Sequence, residues 1–219
     1  MSAEKKVQSQ DDLRLKLDIN NVFAEMIGEE HGMTIEELEE AKDKALKAHE
    51  NIMKEEAEGK MGFMELPHEQ QEVVEELKAT AEELKDKFDN FVVLGIGGSA
   101  LGNIAVQTAV NDPHYNLFEE ARNGYPRLFV SDNVDPEGIK ALLDKLDPKK
   151  TLFNVISKSG STAETMSQFL LARKFVADAV GEENVGEHFI ATTSKDSGYL
   201  IEIAEREDMK KFFIPDNVG

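Results

Sequence analysis

The sequence predicts an α/β protein, in which a three-layer α/β/α domain surrounds a five-stranded parallel sheet and a helical N-terminal extension precedes it. Two observations support this prediction. Five short apolar runs recur in the second half of the chain, separated by segments with helical spacing, and this alternation indicates right-handed crossovers between parallel strands. Residues 1–89, by contrast, are rich in Glu and Lys and carry little strand signal. We therefore expect residues 1–89 to form the extension, packed on an α/β domain of residues 90–219.

The extension is predicted to hold two long helices. Thr34, followed three residues later by Glu37, fits a capping box, so a helix is expected from Ile35 to Ala57. An irregular link should follow, punctuated by Gly59, Gly62 and Pro67. The second helix is expected from Glu69 to Phe88.

The α/β domain is predicted to alternate five strands with four helices. The expected strands are Phe91–Leu94, Leu128–Val130, Leu152–Ile156, Phe189–Thr192 and Phe212–Ile214. The expected helices are Asn103–Val110, Pro136–Leu146, Thr162–Val180 and Gly198–Arg206. Asp132 and Asp135 should end a strand and cap the next helix, which has Pro136 at its first position.

The stretch from Ser157 to Thr165 follows the third strand and is the strongest functional signal. Ser161 and Glu164 fit a capping box, so a helix is expected to begin near Thr162. Free backbone N–H groups at such a start favour an anion by about 0.3–1 kcal/mol. Further donors are available from Ser157, Ser159, Ser161, Thr162, Thr165 and Lys158. Helix capping explains one hydroxyl only, so the pattern predicts a phosphate site.

A second polar turn, Gly95–Gly102, directly follows the first strand. Glycines let backbone N–H groups approach a ligand closely and tolerate positive φ. The structural alternative is a tight strand-to-helix turn, but four glycines exceed what such a turn requires. Ligands of parallel sheets bind at the carboxyl ends of strands, near the point where strand order reverses. Both polar turns lie at such ends, so a ligand role is favoured for each.

A dinucleotide site is the main alternative for the glycine turn. Gly95, Gly97 and Ala100 satisfy the form G-x-G-x-x-A. The fingerprint also expects an acidic residue about twenty positions further on. Asp132 lies well beyond that distance, and a nicotinamide or flavin cofactor would leave the hydroxyl cluster after the third strand without a role. We therefore disfavour a nicotinamide or flavin cofactor.

Composition excludes several other classes of function. The formal net charge is −19, from 44 acidic and 25 basic residues, which opposes binding to nucleic acid or an anionic membrane. The Debye length is about 8 Å at physiological ionic strength, so local donors can still hold an anion. No metal motif, nucleophile elbow, cysteine or run of eighteen apolar residues occurs. With a charged rather than signal-like N-terminus, a cytoplasmic protein is expected.

Three motifs, taken in order, resemble the glucose-6-phosphate isomerase family, whose members have the flavodoxin-like sugar-isomerase fold. They are Gly-Ile-Gly-Gly-Ser-Ala-Leu-Gly at 95–102, Asn-Val-Asp-Pro at 133–136 and Ser-Lys-Ser-Gly-Ser-Thr-Ala-Glu-Thr at 157–165. Gly-Phe-Met-Glu-Leu-Pro at 62–67 also resembles the N-terminal segment of bacterial members. The resemblance extends over most of the chain, and the three motifs together are highly specific.

The resemblance implies aldose–ketose interconversion of glucose 6-phosphate and fructose 6-phosphate through an enediol, without a metal or organic cofactor. It implies that the sugar phosphate is held by Gly98, Ser99, Ser157, Lys158, Ser159, Thr162 and Thr165. Ser157, Ser159 and Thr162 would make the main hydroxyl contacts. This agrees with the helix-start argument, which uses no family knowledge.

The chain departs from the family after Ile214. The family's next signature, Gly-Arg-aromatic-Ser, is missing, and the family's catalytic glutamate, histidine, lysine and arginine lie still further on. We expect the chain to be the N-terminal portion of an isomerase, inactive alone and part of a homodimer when full-length. The alternative is a complete, non-catalytic module that senses a phosphosugar and uses the same two turns.

Overall fold

The computed structural model describes residues 16–218, and the chain divides into two compact units between Glu58 and Gly59. The first unit holds a 3-10 turn at Asn20–Val22 and two helices, α1 (Ala24–Ile27) and α2 (Ile35–Ala57). The predicted capping box at the start of α2 is confirmed, since Thr34 and Glu37 each bond the other's backbone N–H. The boundary that we expect at residues 89 and 90 stays a prediction.

The second unit alternates helices and strands. Its helices are α3 (Gly62–Glu69), α4 (Gln71–Leu84), α5 (Gly98–Val110), α6 (Glu119–Arg122), α7 (Pro136–Leu143), α8 (Ala163–Val180) and α9 (Tyr199–Arg206). Its strands are β1 (Asn90–Leu94), β2 (Arg127–Ser131), β3 (Thr151–Ser157), β4 (Phe189–Thr193) and β5 (Lys210–Phe213). Short 3-10 segments at Pro148–Lys150 and Glu182–His188 precede β3 and β4.

The predicted five-stranded parallel sheet is confirmed, with strand order β2-β1-β3-β4-β5. This is the order of flavodoxin-like folds. The order reverses between β1 and β3, which are hydrogen-bonded neighbours. The turns after these two strands therefore open at the place where ligands of such sheets bind.

Alternating side chains of the strands build a core on each face of the sheet. On one face the rings of Phe153 and Phe189 stack 5.2 Å apart, and Phe169 of α8 meets Phe189 edge-on at 5.3 Å. The opposite face buries Leu152 and Ile190, with Val73 and Leu84 of α4 against them. Helices thus cover both faces, which confirms the three-layer architecture.

The region around α3 differs from the prediction. Residues expected to form an irregular link are helical, and Pro67 lies inside that helix. Because proline has no N–H, α3 lacks the hydrogen bond that residue 67 would otherwise donate to the carbonyl oxygen of Phe63. The next helix begins at Gln71 and ends at Leu84, four residues before the expected end at Phe88.

The last strand begins earlier than predicted, at Lys210 rather than Phe212, and ends at Phe213 rather than Ile214. The strand begins with Lys210 and Lys211, and a prediction based on runs of apolar residues does not include them. The sheet order places β5 at an edge, where exposed charged residues are tolerated and oppose unwanted strand pairing. Within residues 16–218, no helix has both the length and the apolar character that crossing a bilayer requires.

Candidate functional site

The turns after β1 and β3 meet at a cavity of about 440 Å³, which we call the turn cavity. Its lining residues are Ile96, Gly98, Ser99, Asn103, Ile156, Lys158, Ile214 and Val218. The structure therefore brings together three of the seven residues predicted to hold a phosphate, namely Gly98, Ser99 and Lys158. The other four belong to the β3 turn and the start of α8 and do not line this cavity.

The glycine turn after β1 leads directly into a helix. We expected that helix to begin at Asn103, but α5 begins at Gly98, so Gly98 and Ser99 lie in its first turn. Gly97 is the residue before the helix and has φ +56°, a conformation that favours glycine. The N–H groups of Ser99 and Ala100 donate to the carbonyl oxygens of Ile96 and Gly97 at 3.1 and 3.0 Å, so Gly98 is the first-turn residue of α5 whose N–H remains for a ligand.

Asn103 is a cavity residue that sequence reasoning missed. Its side-chain Nδ2 donates to the carbonyl oxygen of Ser99 at 2.9 Å, one helical turn earlier. This bond holds the first turn of α5 against the next. The helical spacing of Ser99 and Asn103 could have revealed the pair, had the helix start been predicted correctly.

The turn after β3 contains a cluster of hydroxyl groups. The Oγ of Ser157 lies 3.1 Å from the Oγ1 of Thr162, and the Oγ of Ser159 lies 3.4 Å from the same Thr162 atom. Ser161 bonds back to the carbonyl oxygen and hydroxyl of Ser159 rather than to the helix. Three of the hydroxyls that we predicted to bind phosphate thus share one network.

The predicted capping box of Ser161 and Glu164 is wrong. The residue that precedes α8 is Thr162, and its side chain makes no capping bond. The Thr162 hydroxyl is engaged by Ser157 and Ser159 instead, which explains why the cap is not formed. The first N–H groups of α8 are consequently left without a side-chain cap at the mouth of the turn.

The predicted residues differ in their accessibility. Ser157 and Thr165 are buried, at 2% and 1% exposure, whereas Ser159 and Gly98 are exposed. Ser99, Lys158 and Thr162 are of intermediate exposure. A ligand at this edge of the sheet can therefore reach Ser159 without rearrangement, while Ser157 lies behind Thr162.

Lys158 supplies a positive charge at the cavity. Its ammonium group donates to the carbonyl oxygen of Val218, and its own carbonyl oxygen accepts from the N–H of Ser194 at 3.0 Å. In the part of the chain that the structure describes, Lys158 forms no ion pair. Its charge is therefore available to an anionic ligand.

Asp135 and His188, which do not line the turn cavity, make structural contacts. Asp135 accepts from the N–H groups of Glu137 and Gly138 at 3.2 and 3.1 Å, which confirms the predicted cap of α7. His188 is buried, with Nδ1 3.0 Å from the carbonyl oxygen of Thr151. Among residues 16–218, no group of three His, Asp or Glu side chains is arranged to hold a metal ion.

A second cavity, of about 250 Å³, lies between α4 and the opposite face of the sheet. Its lining is mainly apolar and includes Leu77, Leu84, Phe88, Phe91, Leu152, Ile190 and Phe212. It offers little to an anionic ligand. The turn cavity is the candidate functional site because Gly98, Ser99 and Lys158 line it and the hydroxyl cluster directly follows Lys158 in the chain.

Comparison with known proteins gives a consistent result. A family model described as phosphoglucose isomerase matches residues 11–213. The glucose-6-phosphate isomerase of Carboxydothermus hydrogenoformans is 42% identical over 207 residues, which cover 94% of this chain and 44% of that protein. The glucose-6-phosphate isomerase of Rubrobacter xylanophilus is 36% identical over 202 residues, covering 92% and 45%. This chain thus spans less than half the length of these curated relatives.

Two solved structures have a similar backbone. A hypothetical protein from Thermus thermophilus matches with a TM-score of 0.71 at 36% identity, over 84% of this chain and 41% of that chain. A glucose-6-phosphate isomerase from Chlamydia trachomatis matches with a TM-score of 0.52 at 29% identity, over 66% of this chain and 26% of that chain.

Proposed function

The chain belongs to the phosphoglucose isomerase family, and on this premise we propose that it is the N-terminal portion of a glucose-6-phosphate isomerase. In this proposal it carries the sugar-phosphate-binding site, and the groups that catalyse proton transfer belong to the remainder of the full-length protein. The supporting observation is the turn cavity, which Gly98 and Ser99 of α5 line together with Lys158 of the β3 turn.

The chemistry of the site suits a phosphate dianion. The uncapped start of α8 supplies backbone N–H donors and partial positive charge, the N–H of Gly98 at the start of α5 adds a donor, and Lys158 supplies a full charge. Ser99, Ser159 and Thr162 add hydroxyl donors. Hydrogen bonds to a charged group contribute about 1.5–3 kcal/mol each. Because these donors are local and bulk charge is screened within about 8 Å, the net charge of −19 does not prevent binding.

Phosphate binding would serve the isomerisation by positioning the sugar. The reaction moves a proton between C2 and C1 of the substrate through an enediol, which needs a base and a group that stabilises the enediolate. A fixed phosphate holds these carbons against such groups and so lowers the entropic part of the barrier. The site residues proposed for this role are Gly98, Ser99, Ser157, Lys158, Ser159, Thr162 and Thr165.

The remaining parts of the proposal concern the full-length protein. We propose that it acts as a homodimer on a phosphosugar in the cytoplasm, without nucleic acid, membrane, metal or organic cofactor as a partner. The absence of cysteine is compatible with a reducing compartment.

Titration calorimetry with fructose 6-phosphate tests the proposal. We expect saturable heat with this chain, and its loss when Ser157→Ala and Thr162→Ala are combined. Ser167→Ala, which removes an exposed hydroxyl bonded only within α8, is the matched control and should bind normally. Unphosphorylated fructose should give no heat. Isomerisation by the purified chain, or heat that the double variant retains, would contradict the proposal.

A further inference from the structure

The loop after β4, residues 194–198, contacts the backbone of the turn that carries the candidate site. We call residues 157–162 the ligand turn. The N–H of Ser194 donates to the carbonyl oxygen of Lys158 at 3.0 Å, and the N–H of Leu200, in the first turn of α9 just after the loop, donates to the carbonyl oxygen of Gly160 at 3.0 Å. These bonds lie on either side of Ser159, so the backbone around Ser159 is held by the loop and by the start of α9.

Two glycines bring the loop and the ligand turn into direct contact. A Cβ atom on Gly198 would lie 2.1 Å from the carbonyl oxygen of Ser159 and 2.8 Å from the Cα of Gly160. A Cβ on Gly160 would lie 3.1 Å from the Cα of Gly198. Both glycines have positive φ, +62° for Gly160 and +99° for Gly198. No other residue type fits at Gly198 without moving Ser159.

Thr193 closes the space behind the ligand turn. It is completely buried, and its Cα is the register partner of Ser157 in the sheet. A Cβ on Gly160 would lie 3.2 Å from the Oγ1 of Thr193. Among the described residues this hydroxyl has no hydrogen-bond partner, so it acts through packing. The ligand turn is therefore prevented from receding toward β4.

The loop is itself anchored through Ser194. The Oγ of Ser194 donates to Asp216 at 2.8 Å and lies 3.3 Å from both the N–H of Asp196 and the Oγ of Ser197. Asp216 belongs to the same C-terminal segment as Val218, which accepts the ammonium bond of Lys158. The loop, the ligand turn and this segment thus support one another.

We propose that residues 194–198 are a positioning element of the site, in which Gly198 and Ser194 hold the ligand turn in the geometry that a phosphate binds. The inference rests on the proposed function, since it concerns the same turn. Its physical basis is pre-organisation: donors fixed before binding lose less entropy when the ligand arrives. Neither residue needs to contact the ligand.

A pair of glycine variants tests the proposal. Gly198→Ala introduces both left-handed strain and the clash with Ser159, whereas Gly124→Ala, at φ +81° with open space around it, introduces only the strain. We expect Gly198→Ala to weaken fructose 6-phosphate binding by about tenfold or more, and Gly124→Ala to change it by less than about twofold. Equal affinity of the two variants would overturn the positioning role.

A measurement without ligand separates this inference from the proposed function. In the free chain, the amides of Gly160 and Leu200 should exchange hydrogen about tenfold faster in Gly198→Ala than in Gly124→Ala. Equal exchange in the two variants would overturn the inference whatever the binding result. Faster exchange in Gly198→Ala, with a parent chain that binds no phosphosugar, would support the loop contact and overturn the proposed function instead.

A milder variant covers the case in which Gly198→Ala does not fold. Ser194→Ala removes the anchor to Asp216 without any steric clash, and Ser167→Ala is its matched control. We expect Ser194→Ala to weaken fructose 6-phosphate binding several-fold and the control to leave it unchanged. Unchanged affinity in Ser194→Ala would contradict the proposed role of the loop.

Discussion

The hydroxyl of Ser157, the last residue of β3, lies 3.1 Å from the hydroxyl of Thr162, the residue that precedes α8. This contact replaces the usual helix cap, in which the side chain would accept from the helix N–H groups. Those N–H groups are therefore left for another acceptor. A phosphate at this position would bond the helix start and the hydroxyl cluster together, which is the basis of the proposed site.

Removing the charge of Lys158 should weaken phosphosugar binding. We expect Lys158→Gln to raise the dissociation constant for fructose 6-phosphate by about tenfold or more, because a hydrogen bond to a charged group contributes about 1.5–3 kcal/mol. Titration calorimetry of the purified chain measures this change.

The matched control for this variant is Lys174→Gln. Lys174 lies on the exposed side of α8, where it pairs with Asp178, and its loss changes the net charge equally. We expect little change in affinity. If both variants weaken binding to the same extent, Lys158 acts only through the overall charge of the chain and is not a site residue.

Two glycines of the β1 turn should respond to alanine in opposite ways. A Cβ on Gly95 would lie 2.9 Å from the carbonyl oxygen of Ser99, whereas a Cβ on Gly102, within α5, would meet nothing within 4 Å. Gly95→Ala should lower the free energy of unfolding by about 1–3 kcal/mol through overpacking. Gly102→Ala should raise it by about 0.5–1 kcal/mol, because alanine is favoured inside helices.

Urea denaturation of the two variants measures both effects. A Gly95→Ala chain as stable as the parent would show that the turn after β1 is not closely packed. A destabilised Gly102→Ala chain would show that Gly102 is needed for more than helix formation.

The capping box of α2 predicts a pH dependence. The Oε2 of Glu37 accepts from the backbone N–H of Thr34 at 2.8 Å and from its hydroxyl at 3.1 Å, and these bonds lower the pKa of Glu37, the backbone bond more strongly. A lowered pKa means that the stabilisation is present above the ordinary glutamate pKa of about 4.3. It is lost as the pH falls through the lowered value.

Replacing Thr34 by alanine removes the hydroxyl bond and leaves the backbone bond. We expect the pKa of Glu37 to rise part of the way toward its ordinary value, as measured by an NMR titration of the Glu37 carboxyl carbon. Thr108→Ala, which removes a hydroxyl bonded to the carbonyl oxygen of Ile104 in α5, should leave this titration unchanged. An unchanged Glu37 midpoint in Thr34→Ala would mean that the hydroxyl bond does not stabilise the carboxylate.

The sequence was sufficient to predict the architecture because the buried strands are marked by short runs rich in apolar and β-branched residues. β3 and β4 carry such runs, and their ends differ from the prediction by one residue at most. The bounds of β5 were predicted incorrectly because the strand begins with Lys210 and Lys211. Charged residues on an edge strand are not part of an apolar run, so the pattern does not indicate them. The helical state of Pro67 was missed because proline ordinarily indicates a break.

The candidate site was predictable in its composition but not in its geometry. The cluster of Ser and Thr residues indicated the turn after β3, and the cluster of glycines indicated the turn after β1. The sequence could not show that Thr162 bonds Ser157 instead of capping α8, because either arrangement gives the Thr162 hydroxyl a hydrogen-bond partner. The contact between Gly160 and Gly198 could not be predicted from the sequence either, because it joins two turns that are brought together only when the sheet has formed.

An amide NMR titration with fructose 6-phosphate tests the central claim, binding at the two turns, most directly. We predict saturable shifts that are largest at Gly98, Ser99 and the backbone of residues 159–162, and the same pattern with inorganic phosphate at higher concentration. The cavity on the opposite face, lined by Leu77, Phe88 and Phe212 among others, should be unaffected. Shifts confined to that cavity, or no saturable shift at either turn, would contradict the account.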